Sequence, residues 1–121
     1  MQTVVLDTNA LMMPFEVGGI NLDLAVREIL GEVRFVVPGP LVGELKRLSE
    51  TKRAAKAALA LARSREIVQC DGHGDDAVVE VALREHGYIL TNDKELRRRA
   101  RTQHIPLLYL RSGTHLVLET Y

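Results

Sequence analysis

Short runs of β-branched and aliphatic residues recur along this chain, and each is cut off by a polar or turn-forming residue. Val4, Val5 and Leu6 end at Asp7-Thr8-Asn9, and Phe35, Val36 and Val37 end at Pro38. Ile67 and Val68 end at Gln69, and Tyr88, Ile89 and Leu90 end at Thr91-Asn92-Asp93. Runs this short, with apolar side chains on both faces, read as buried strands, and alternation with helices makes them parallel. The intervening stretches have helical period. Leu22, Val26, Ile29 and Leu30 share a face, and Gly31 is placed to stop them. Pro40 suits the first turn of a helix whose stripe is Leu41, Leu45 and Leu48. Lys52 to Ala62 is rich in helix formers. A helix beginning near Asp75 carries Ala77, Val78, Val81 and Ala82 and is expected to be closed by Gly87. Asn92 with Glu95 three residues on predicts a capping-box start for the next helix. Ile105 to Leu110 predicts a fifth strand, and His115 to Tyr121 alternates weakly enough to be a sixth.

The fold class is therefore α/β, a three-layer α/β/α arrangement with a central parallel sheet of about five strands. At 121 residues, with no internal repeat and no linker, the expectation is a single domain over 1–121. Sixteen basic and sixteen acidic residues cancel, which excludes a uniformly cationic nucleic-acid coat. The charge is nevertheless segregated. Residues 46–65 carry seven bases and one acid, and 94–101 carry five bases and one acid. Residues 66–93 reverse this, with seven acids and one base. Such a chain can set an acidic pocket beside a basic surface. One cysteine, Cys70, excludes an intrachain disulfide framework and a CxxC zinc site. The longest apolar run, Ala57 to Ala62, is six residues, and no basic-then-apolar leader precedes it. No membrane contact is expected, and the expected location is cytoplasmic.

Ligands of open parallel sheets bind at the carboxyl ends of the strands. Asp7 follows the first strand directly, and Asp93 follows the fourth. Asp75 and Asp76 open a helix, and Glu44 lies in the early turns of the helix after the second strand. All fall at one end of the sheet. Taken singly, Asp76 or Asp93 is most simply a helix cap or dipole partner and Glu44 a solvated helix residue. Asp7, flush against a buried strand, needs a partner. Taken together, converging carboxylates repel unless protonated or bridged by a cation. Mg²⁺ (or Mn²⁺) prefers a few carboxylates plus waters, and such a site supports hydrolysis of a phosphodiester. Of the adjacent pair, Asp76 is the expected ligand and Asp75 the cap.

These residues lie in VVLDTNALM (Val4 to Met12), PLVGELKRL (Pro40 to Leu48), DDAVVEVALREHG (Asp75 to Gly87) and YILTNDKELRRR (Tyr88 to Arg99). In that order, at strand–helix junctions, they resemble the PIN-domain ribonuclease family. The resemblance implies a divalent-metal-dependent endoribonuclease that hydrolyses single-stranded RNA and leaves 5′-phosphate and 3′-hydroxyl ends. It implies four catalytic acids, Asp7, Glu44, Asp76 and Asp93, with Asp7, Asp76 and Asp93 on the metal. Asn9 and Thr91 would orient the carboxylates or bound water, with Asp75 behind them. Lys46, Arg97 and Arg98 are the expected RNA contacts. The stretch from Asp75 and the TNDKELRRR segment are closer to the ribosomal-RNA-processing branch than to the VapC-type toxins. Expected partners are RNA, a second copy of the chain, and either an antitoxin or a ribosome-assembly factor. Two other fold-mates do not fit. A receiver domain needs a paired acid after its first strand and a Lys-Pro after its fifth. A DxD phosphatase needs an acid where Asn9 stands. The rival from another class is a PIN-like module without catalysis, serving RNA binding or scaffolding.

Overall fold

The computed structural model describes residues 1–16, 18–113 and 115–121. Strand β1 (Gln2–Leu6) lies in the interior of a six-stranded sheet of order β3-β2-β1-β4-β5-β6. The other strands are β2 (Val33–Pro38), β3 (Glu66–Val68), β4 (Tyr88–Leu90), β5 (Leu107–Arg111) and β6 (His115–Glu119). Val5 stands opposite both Val36 of β2 and Ile89 of β4. The first five strands are parallel, and β6 returns antiparallel to β5 with Leu108 opposite Leu118. The expected parallel sheet is thus present, and the weakly alternating tail extends it into a mixed one. With β5 ending at Arg111 and β6 beginning at His115, the connection is too short for a crossover, so the pairing is antiparallel.

Helices cover both faces of the sheet. They are α1 (Thr8–Met12), α2 (Leu22–Leu30), α3 (Pro40–Leu48), α4 (Arg53–Ser64), α5 (Gly74–Glu85) and α6 (Lys94–Thr102). A 3-10 turn (Met13–Phe15) extends α1. Asn21 caps α2 by accepting from the Leu24 amide, and Gly31 ends it at φ +76°. In α4 the buried face is Ala55, Ala58, Leu59 and Ala62, mostly small side chains that let the helix sit close against α1 and α3. The buried residues form one cluster in which Val4, Val5, Val36, Val37, Ile89, Leu90, Leu107 and Leu108 line the sheet and Leu41, Leu45, Val78 and Val81 press on it.

Two details of helix punctuation differ from expectation. The left-handed residue after α5 is His86, at φ +52°, not Gly87. Gly87 is required for closeness: a Cβ there would lie 2.8 Å from the Thr3 carbonyl oxygen. The cap of α6 is Asp93, whose side chain accepts from the Leu96 amide, not Asn92. Asn92 is drawn away to β5, and Glu95 pairs with Arg98 instead of reaching back.

Strands β2 and β3 lie on one side of β1, and β4 and β5 on the other. The order reverses at the β1–β4 seam, so the crevice of the fold opens there, at the carboxyl ends carrying Asp7 and Thr91. Among the described residues no helix is long and apolar enough to cross a membrane.

Candidate active site

Asp7 is where the seam becomes chemical. It follows β1 and caps α1, with its Oδ1 accepting from the Ala10 amide at 2.7 Å. Its Oδ2 accepts from the Thr91 hydroxyl across the seam. Asp7 is only 6% exposed. Burial pushes its pKa up to about 7 against the lowering pull of those two hydrogen bonds, and the charges of Asp75 and Asp93 push the same way. Thr91 is fully buried and serves two neighbours. Its oxygen accepts from the Asp93 amide at 3.0 Å, which leaves its proton for Asp7. Asn9 Oδ1 accepts from the Asn92 amide at 2.8 Å, and Asn92 Oδ1 accepts from the Leu110 amide at 2.7 Å. The loops after β1 and β4 are thereby stitched to each other and to β5. Thr91 touches a carboxylate directly, whereas Asn9 holds the loop that carries the next one.

Asp75 lies in the first turn of α5 and is half-buried. Burial raises its pKa first, Asp93 next, and the Arg99 guanidinium opposes them. Asp76 faces outward, with its side chain 72% exposed and its Oδ1 2.8 Å from Arg99 Nη2. The expected roles are therefore exchanged in space. Asp75 is the acid whose charge bears on Asp7 and which itself feels the charge of Asp93, and it is no cap, because His73 holds that position. The cause is helical phase: Asp75 shares a face with Val78 and Ala82, which press into the core, whereas Asp76 lies on the solvent side. Asp93 is exposed, with Oδ1 committed to capping α6.

Glu44 comes to the same end of the sheet from α3. It lines an open groove of about 560 Å³ with Arg47, His73 and Gly74. Its Oε2 is closed off from solvent and has no hydrogen-bond partner. A buried carboxylate oxygen without a donor is costly and calls for a cation or an ordered water. The donor set of Asp7, Asp75, Asp93 and Glu44 is all hard oxygen, which suits Mg²⁺ or Mn²⁺ and no softer ion. Among the described residues no three His, Cys, Asp or Glu side chains are gathered closely enough to cage an ion by direct contact. An ion bound here would have to keep several waters, as Mg²⁺ usually does.

The expected RNA contacts are dispersed. Lys46 is exposed on α3. Arg97 lies over the Tyr109 ring, 4.9 Å from its centroid, and Arg98 pairs with Glu95 at 2.5 Å. Sequence reading missed Arg99, Arg47, His73 and Asn92. The signal for Arg99 was available in the α6 wheel. At about 100° per residue, Leu96 and Ala100 fix the buried side, which puts Arg97 and Arg99 on opposite flanks, one toward β5 and one toward α5.

A family model described as "PIN like domain" matches residues 4–113. Ribonuclease VapC9 of Archaeoglobus fulgidus is 32% identical over 120 residues, 95% of this chain and 87% of that protein. Ribonuclease VapC4 of Methanocaldococcus jannaschii is 30% identical over 121 residues, 92% of each. The solved structure of the PIN domain endonuclease Utp24 superposes with a TM-score of 0.81 at 24% identity, covering 98% of this chain and 92% of that one. A domain of a functionally unknown protein from Methanocaldococcus jannaschii superposes with a TM-score of 0.65 at 18% identity, covering 93% of each. These likenesses to solved structures show the fold. The chain belongs to the PIN-like domain family.

Proposed function

We propose that the chain is an endoribonuclease that hydrolyses single-stranded RNA with the help of Mg²⁺ or Mn²⁺. The observation that carries this reading is the buried Asp7 carboxyl, held by Thr91 and Ala10 and facing the charges of Asp75 and Asp93 at the switch point of the sheet. Its relatives being ribonucleases supports RNA as the substrate. Asp7, Asp75 and Asp93 would hold the ion, with Asp76 at the outer edge. When bound, the ion supplies an activated water and a positive charge for the phosphate oxygens. Thr91 fixes the rotamer of Asp7 and the start of α6 at once. Asn9 keeps the two loops in register, so the acids are in place before substrate arrives. Glu44 Oε2, an acceptor without a donor, is placed to take a hydrogen bond from a water in the groove. Lys46, Arg97 and Arg98 would contribute general attraction for the phosphate chain.

The VapC name of both curated relatives favours the toxin-type role, with an antitoxin partner, over the RNA-processing role favoured by the motifs alone. A second reading, a module that binds RNA without cutting it, is favoured by the absence, among the described residues, of three His, Cys, Asp or Glu side chains close enough to hold an ion directly. The deciding measurement is cleavage of a 5′-labelled single-stranded RNA with and without Mg²⁺. Metal-dependent products bearing 5′-phosphate, absent with Asp7→Asn, support the nuclease. RNA binding with no cleavage under Mg²⁺ or Mn²⁺ establishes the silent module instead.

A further inference from the structure

The arginines of α6 do not act as one basic patch. Arg97 stacks over Tyr109, Arg98 pairs with Glu95 at 2.5 Å, and Arg101 pairs with Glu119 at 2.8 Å. Of these four arginines only Arg99 turns toward the acidic pocket, among the described residues. Its Nη2 lies 2.8 Å from Asp76 Oδ1, and its charge bears on Asp75 as well. The guanidinium thus stands at the rim of the site where a cation is needed. Its side chain is 32% exposed and its partner faces solvent, so the pair is of the weakly held, readily exchanged kind. A phosphate offers a guanidinium two oxygens in a plane, a better match than one exposed carboxylate oxygen.

We propose that Arg99 is a substrate-positioning residue that leaves Asp76 for a nonbridging oxygen of the phosphodiester next to the cut. The proposal rests on the endoribonuclease reading and names the residue that seats the strand. In the RNA-free chain Arg99 partly neutralises the acids and so competes with the metal. In the complex it adds attraction for RNA. Removing it must therefore move the two affinities in opposite directions, which a merely structural role would not do.

The test uses the full chain as wild type, Arg99→Ala and Arg99→Lys. Mg²⁺ binding is followed by calorimetry, and single-stranded RNA binding by fluorescence anisotropy with Ca²⁺ in place of Mg²⁺. Arg99→Ala is expected to bind RNA about tenfold more weakly, the effect of one charge-assisted contact, while binding Mg²⁺ more tightly. Arg99→Lys, which keeps the charge and loses the fork, should fall between for RNA. RNA affinity unchanged in Arg99→Ala overturns the proposal, as does Mg²⁺ affinity that falls together with RNA affinity. Failure of the wild type to cleave would instead overturn the endoribonuclease reading, and the two binding curves would still decide the role of Arg99.

Discussion

Asp7 carries an ionisable group into surroundings that oppose its ionisation. Its folded pKa, about 7, lies above the ordinary 3.8. In the metal-free chain, then, its contribution to stability is full at acid pH and is lost as pH rises through about 7. Asp7→Asn cannot ionise. It is expected to melt near the wild type at acid pH and above it at pH 8 without metal, as measured by scanning calorimetry in chelator. Added Mg²⁺ should raise the melting point of the wild type and leave Asp7→Asn behind. Identical melting of the two at pH 8 would contradict the strained carboxyl. Thr91 gives a second outcome. Thr91→Val keeps the shape but strands the Asp93 amide and one Asp7 oxygen, at a cost of about 2–3 kcal/mol in urea unfolding, and Thr91→Ser should restore most of it. Asp7 was legible because a charge abutting a β-branched run has few plain explanations. Which of Asp75 and Asp76 turns inward was open to reading once the phase of Val78 and Ala82 was followed back one turn. Glu44 was legible as an acid at the right end of the sheet, but nothing in its neighbourhood marks a buried oxygen.

At the scale of elements, strand and helix placement followed from apolar period, and the punctuation between them did not. Gly87 shows why. A glycine after a helix is ordinarily read as its left-handed terminator, but here His86 takes that conformation and Gly87 slides beneath the Thr3 carbonyl. Close approach between strands distant in sequence leaves no local trace. Gly87→Ala would force backbone apart at the β1–β4 seam. It is expected to cost about 1–3 kcal/mol in chemical denaturation and to lower cleavage more than a comparable loss of stability elsewhere. Asn92 follows the same logic. It looked like a cap because Glu95 is three residues on, but its amide group reaches β5, and Asp93 does the capping. The hairpin return of β6 was legible only as weak alternation, because its pattern Leu116, Val117 and Leu118 is read by an edge rather than a core.

On the scale of the whole molecule, neutrality hides a separation of charge. Arg47 beside Glu44 and Arg99 beside Asp76 stand at the end of the sheet that holds the acids, and Lys46 and Arg98 are exposed on the same two helices. If these four engage a single strand, log affinity should fall against log salt with a slope of about −3, measured by anisotropy over a range of KCl. A flat response would mean that RNA is held by something other than its backbone. The bond between Thr91 and Asp7 joins residues 84 apart in the chain. The side-chain hydrogen bond that orients the first acid therefore comes from the last third of the polypeptide. A nascent chain that has delivered Asp7 and Glu44 but not yet β4 and β5 has an unpaired strand edge on β1 and no crevice, so the acids can meet only when synthesis is nearly done.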